Sequence, residues 1–232
     1  MTPYAPKHPI RVVTAAALFD GHDAAINVMR RILQQSGAEV IHLGHNRGAE
    51  EVVDAAIEED AQAIAVSSYQ GGHIEYFKYM HDLLRQKGAQ HITLWGGGGG
   101  VIVPREIEEL HAYGIKRIFS PEDGRRHGLQ GMIDMILRGA DFSTAPSDPC
   151  ADFSRLREDE GRTARLARLV TVLEQADASA DALRAAMQAA ELPAVPTLGI
   201  TGTGGAGKSS LTDELVRRFR LDQEDKLKIA IV

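Results

Sequence analysis

Three separated stretches carry residue types that could do chemistry together. The first is Asp20-Gly21-His22, the second Ser67-Ser68-Tyr69 followed by Gly71, and the third the glycine run Gly96–Gly100, with Gly97, Gly98, Gly99 and Gly100. An aspartate two residues before a histidine can accept a bond from one ring nitrogen and leave the other free to bind a metal. His22 is therefore a candidate metal ligand and Asp20 the carboxylate that orients it. Ser67 or Ser68 offers a short hydroxyl to a buried polar atom. Consecutive glycines let a bulky ligand lie against bare backbone. One histidine is too few for structural zinc, which takes four protein ligands. It suffices if the metal arrives already chelated by a macrocycle. The plain alternatives are a helix-capping or surface histidine and a glycine-rich loop. His42, His45 and His73 show no convincing ligand partners and read as surface or core polar residues.

The elements that must position these residues alternate strictly. Ile10–Leu18 reads as a buried strand. The helix after it carries Ala25, Val28, Met29, Ile32 and Leu33 as one apolar stripe, ending near Gly37. A strand at Val40–Leu43 and a helix at Glu50–Glu59 follow. Ala63–Ser67 is apolar until its last residue, as a strand covered on both faces should be. Next come a helix marked by Ile74, Phe77, His81 and Leu84, a strand at Ile92–Trp95, and a helix opened by Pro104 and closed by Gly114. A strand at Ile115–Phe119 and a helix with Leu129, Met132, Ile133, Ile136 and Leu137 complete the series. Five strand–helix units predict an α/β fold, a five-stranded doubly wound parallel sheet of flavodoxin-like order 2-1-3-4-5. Ligands of such sheets bind outside the carboxyl ends of the strands, at the switch point between strands one and three. The three chemical stretches all fall at that edge. A receiver domain would share this order, but it needs an aspartate where Ser67 stands.

The 232 residues are 25% charged and 44% hydrophobic, with a net charge of −6. Nothing basic invites nucleic acid or an anionic membrane. The single cysteine, Cys150, excludes an internal disulfide framework and suits a reducing, cytoplasmic setting. No signal peptide or run of membrane-spanning length is evident. Residues 1–9 read as a loose leader, 10–140 as the sheet domain, and 141–195 as linker and connector helices. Those helices are expected at Asp152–Gln175 and Asp181–Glu191, without activity of their own. Residues 196–232 read as the first strand, loop and helix of a P-loop domain. There Pro196–Thr201 is the expected strand, and Gly202-Thr203-Gly204-Gly205-Ala206-Gly207-Lys208-Ser209 fits G-x-x-x-x-G-K-[ST]. Backbone N–H groups of Gly202, Gly204, Gly205, Ala206 and Gly207 would wrap phosphates. Lys208 would reach the β- and γ-phosphates, the Ser209 hydroxyl would bind magnesium, and Ser210 would lie near the α-phosphate. Leu211, Leu215 and Phe219 mark the helix. Lys228–Val232 reads as the next strand, cut short by the end of the sequence, so the chain is expected to be part of a larger protein.

Asp20-Gly21-His22-Asp23-Ala24-Ala25, then Ser67-Ser68-Tyr69, then the glycine pair within 96–100 resemble the signature of the cobalamin-binding domain of coenzyme-dependent mutases. Ser67–His73 and Gly99–Pro104 look especially like acyl-CoA mutases. Ala25 stands where that family has glycine, and Tyr69 where it has leucine. The resemblance implies that His22 is the lower axial ligand of cobalt in adenosylcobalamin and that Asp20 tunes its basicity. It implies that the nucleotide tail threads in beside Ser67 and the glycines. Together with the P-loop, which is similar to GTPase chaperones of such mutases, the order of domains resembles the fused isobutyryl-CoA mutases. Their implied chemistry is cobalt–carbon homolysis, hydrogen abstraction and 1,2-migration of a thioester, with GTP and Mg2+ gating cofactor loading. The acyl-CoA would bind a further catalytic domain, and a homodimer is expected of the whole protein. The alternatives are a cobalamin carrier or sensor with an attached NTPase, and a P-loop NTPase with an unrelated regulatory domain.

Overall fold

A computed structural model describes residues 3–175, 177–190 and 195–232. Five strands, β1 (Arg11–Ala17), β2 (Glu39–Arg47), β3 (Ala63–Ser67), β4 (Thr93–Gly97) and β5 (Arg117–Phe119), form one parallel sheet in the order β2-β1-β3-β4-β5. The register aligns their carboxyl ends. Ala16 pairs with Ser67, Ser67 with Gly97, and Gly97 with Phe119. The order and connectivity are those expected from the alternation of elements.

Side chains alternate between the two faces, as a strand's period of two requires. Val13, Ala15, Ile64, Val66 and Leu94 face one core, closed by α2 (Ala49–Glu58), α3 (His73–Gln86) and α4 (Pro104–Tyr113) through Val52, Phe77, Met80, Leu84 and Leu110. Val12, Ala63, Ala65, Trp95 and Phe119 face the other, closed by α1 (Ala24–Gln35) and α5 (Pro121–Ala140) through Leu33, Ile133, Ile136 and Leu137. Each such fully buried aliphatic side chain is worth about 1.5–3 kcal/mol relative to exposure. Ser120 caps α5, accepting from the Asp123 N–H at 3.2 Å, and the helix breaks at Gly128, whose φ is +63°.

The leader is not loose where it is described. Tyr4 Oη donates to Asp141 Oδ2 at 2.5 Å, Lys7 N to Oδ2 at 2.9 Å, and His8 N to Oδ1 at 3.0 Å. Met1 and Thr2 lie outside the described residues. β4 runs on into Gly96 and Gly97, because those residues pair with β3 and β5. The helix expected over 152–175 is two, α6 (Pro149–Ser154) and α7 (Arg162–Gln175), separated by turns that end at the left-handed Gly161, φ +65°. The next helix, α8 (Ala178–Ala189), starts earlier than expected because Asp177 caps it, Oδ1 accepting from Ser179 N at 2.9 Å. Glu191, its expected end, lies outside the described residues. Leu169, Val172, Ala180 and Leu183 make a small apolar cluster of α7 and α8, so these helices are packed rather than solvated all round.

The chain divides into two compact units, Met1–Ala190 and Glu191–Val232. The second contains α9 (Lys208–Asp222), and none of that helix's residues is buried. Pro196–Thr201 and Lys228–Val232, the two strands expected here, are irregular. Neither has a ladder partner among the described residues, and a strand without a neighbour leaves its backbone groups unpaired.

Candidate functional site

β1 ends in a turn that turns Asp20 inward and His22 outward. Asp20 N–H donates to the Ala17 carbonyl at 3.0 Å, closing the turn. The Asp20 side chain is fully buried, while that of His22 is 76% exposed. A buried carboxylate must be hydrogen-bonded or it costs several kcal/mol. Asp20 is saturated: Oδ1 accepts from His22 N at 2.8 Å and lies 3.0 Å from His22 Nδ1, and Oδ2 accepts from Tyr69 N at 2.5 Å. The carboxylate thus joins the turn after β1 to the turn after β3. With Nδ1 directed to Asp20, the Nε2 of His22 is the nitrogen left for a ligand. The Tyr69 ring stands 5.6 Å from the imidazole, inclined by 41°.

Behind this pair, a cavity of about 400 Å3 opens along the carboxyl ends of β3, β4 and β5, between α1 and α5. Ser67, Tyr69, Gly97, Gly98 and Gly99 line it together with Val28, Met29, Trp95, Phe119, Leu129 and Met132. Asp20, Gly21, His22, Ser68, Gly71 and Gly100 stand outside its lining. Gly21, Gly71 and Gly100 are exposed in their turns, with nothing near the place of a Cβ.

The apolar members are what sequence reasoning missed. Only Ile26 and Leu33 of α1 are buried, and Val28 is 46% exposed. Met29 of the expected stripe therefore packs partly on the sheet, while Ala25 and Val28 border open space. Leu129 in α5 behaves likewise. The available signal is an apolar stripe on the helix that follows the Asp20–His22 turn.

The glycines serve two purposes. A Cβ on Gly98 would lie 1.9 Å from the Ser68 carbonyl oxygen, and one on Gly96 would lie 2.3 Å from the Phe77 ring. These two are therefore required by the protein's own close packing. Gly99 is left-handed, φ +57°, and passes beneath the Tyr69 ring. The hydroxyls of Ser67 and Ser68 are buried and have no hydrogen-bond partner among the described residues. Orphaned polar atoms of this kind are rare in folded proteins and need a partner. A free imidazole nitrogen, an orphaned hydroxyl and an apolar slot fit a metal-centred macrocycle with a long appended tail.

Of the other histidines, His73 is buried. Its Nδ1 is 3.0 Å from the Gln70 carbonyl and its Nε2 2.9 Å from Glu106 Oε2. It ties the turn after β3 to the start of α4. Glu106 also accepts from the Val103 N–H at 3.0 Å, and these bonds, Val103 first, hold its carboxyl below the usual range. His42 Nδ1 lies 2.9 Å from Thr14 Oγ1, and burial lowers its pKa.

In the second unit, Gly205 and Gly207 are left-handed, φ +75° and +78°, so the loop turns sharply into α9. Lys208 Nζ donates to the carbonyls of Gly202 at 2.9 Å and Thr203 at 2.8 Å. Ser209 and Ser210 are exposed at the first turn of the helix.

The model of the B12 binding domain matches residues 10–123. A fused isobutyryl-CoA mutase of Geobacillus kaustophilus is 62% identical over 237 residues, covering 99% of this chain and 21% of that protein. One from Cupriavidus metallidurans is 59% identical, covering 98% of this chain and 20% of that protein. The 2-hydroxyisobutanoyl-CoA mutase small subunit of Aquincola tertiaricarbonis is 34% identical over 110 residues, 47% of this chain and 79% of that subunit. The chain spans about a fifth of the length of the fused relatives.

Proposed function

Because this chain belongs to the B12-binding domain family and aligns over nearly its whole length with fused isobutyryl-CoA mutases, we propose that His22 is the axial ligand of adenosylcobalamin in an acyl-CoA mutase. The observation that carries this reading is the Asp20–His22 pair: a buried, saturated carboxylate holding an exposed imidazole by one nitrogen. Asp20 fixes the tautomer and the orientation of the His22 ring, as outer carboxylates do for metal-bound histidines. The cavity takes the nucleotide tail, and the Ser67 hydroxyl gives that tail its polar partner. Tyr69, Gly97, Gly98 and Gly99 form the tail's wall, and Gly98 brings the backbone close. Gly21, Ser68, Gly71 and Gly100 shape the turns around it. Bound adenosylcobalamin supplies the carbon-skeleton rearrangement, and the protein supplies binding and orientation. The acyl-CoA belongs to the whole protein, and so does any dimer. The sheet domain is residues 10–140, followed by linker and connector helices to 195.

The P-loop is read as the start of a GTPase that controls cofactor loading. Gly202, Gly204, Gly205, Ala206 and Gly207 would direct N–H groups at the phosphates. Lys208 would exchange its two carbonyl bonds for the β- and γ-phosphates, Ser209 would hold Mg2+, and Ser210 would approach the α-phosphate. Positive φ at Gly205 and Gly207 supports that loop shape.

Titration with adenosylcobalamin, followed by EPR of the reduced cobalt form, tests the central reading. Nitrogen hyperfine structure from the imidazole is expected in the parent chain and its absence in His22→Ala. Binding that is unchanged in His22→Ala would sink the assignment.

A further inference from the structure

Phe19 is 82% exposed, and its backbone is left-handed, φ +63°. For a bulky L-residue this region brings Cβ against the backbone, and glycine or asparagine ordinarily occupies it. The strained conformation is held from outside. Phe19 N–H donates to Asn46 Oδ1 at 2.9 Å. Asn46 is itself left-handed, φ +58°, near the end of β2, where the β1–β2 register shifts twice. The next residue, Asp20, is buried, and two residues beyond it stands the exposed His22. A ring in this position contributes almost nothing to either core, so its strain is not repaid by packing. Strain of this kind collects at ligand sites.

The geometry points to Phe19 as a cofactor-contacting residue. Its exposed ring covers apolar surface of the macrocycle, and the Asn46 bond holds the Phe19 backbone in the turn that carries His22. The inference rests on the reading of His22 as the axial ligand. It adds a contact independent of the metal bond and of the tail cavity.

The test uses the 232-residue chain titrated with adenosylcobalamin, read by visible absorbance, with the melting temperature of the free protein measured in parallel. Phe19→Gly removes the ring and the backbone strain together. It is expected to weaken the dissociation constant about tenfold, as befits losing part of a buried phenyl surface. Its free melting temperature should be unchanged or raised, and its imidazole EPR signal intact at saturation. Phe19→Tyr should bind within about twofold of the parent. The inference is overturned if Phe19→Gly binds like the parent, if Phe19→Tyr is weakened as much as Phe19→Gly, or if free Phe19→Gly is destabilised. Failure of the parent chain to bind would remove the reading of His22 as well. Binding that depends on His22 but not on Phe19 would remove this inference alone.

Discussion

Asp20 is where structure and proposed chemistry meet, because one carboxylate serves two turns. Replacing it with alanine takes the acceptor from the part-buried N–H groups of His22 and Tyr69. Asp20→Ala is expected to lose about 2 kcal/mol of stability in urea unfolding, the cost of losing two charge-assisted bonds that join the turns. Ser67 makes the opposite case. Its hydroxyl is buried without a partner among the described residues, so Ser67→Ala should leave the free protein as stable or up to about 1 kcal/mol more stable, while weakening cobalamin binding. A Ser67→Ala variant that unfolds earlier in urea would show that the hydroxyl is already satisfied. The Asp20–His22 pair was legible in the sequence because both partners sit two residues apart in one turn. Phe19 was not, since a left-handed backbone under a bulky side chain has no sequence signature. Nor was the orphaned state of Ser67, which depends on neighbours contributed by other strands.

At the scale of elements, the glycine run divides sharply. Gly98 lies against the Ser68 carbonyl with no space for a methyl group, whereas Gly100 is exposed and open. Gly98→Ala should cost about 3 kcal/mol or more, because backbone rather than a flexible side chain must move. Gly100→Ala should change the denaturation midpoint by less than about 0.5 kcal/mol equivalent. Equal effects would mean that the run is a uniform flexible loop. The sheet order was legible because strand and helix alternate without exception, which leaves few topologies. Helix ends were less so. Gly161 interrupts what periodicity joined into one helix over 152–175, and its left-handed φ explains the break. The strands expected at 196–201 and 228–232 failed for a different reason: apolar β-formers suffice to suggest a strand, but only a paired neighbour makes one.

At the scale of the molecule, the leader and the end of α5 are bound through Asp141. Burial works to raise this carboxyl's pKa, yet the bonds from Tyr4, Lys7 and His8 outweigh it and hold the group well below its ordinary value. A carboxylate with a depressed folded pKa lends stability that is whole above the unfolded value, near pH 4, and is lost as pH falls below it. Asp141→Asn should therefore cost about 2 kcal/mol at pH 7, from weakened charge-assisted bonds, and much less near pH 2. Urea midpoints measured across pH 2–7 would show the two curves converging in acid; parallel curves would exclude the linkage. Composition gave no hint of this clamp, because Tyr4 and Asp141 are 137 positions apart. Its consequence reaches into biosynthesis. A chain made from its amino end keeps Tyr4, Lys7 and His8 waiting until Asp141 has cleared the ribosome, so that side of the clamp settles late. The same closeness of the two ends makes the sheet domain a natural candidate for circular permutation, with a short bridge in place of the clamp and new termini in any exposed turn away from Asp20.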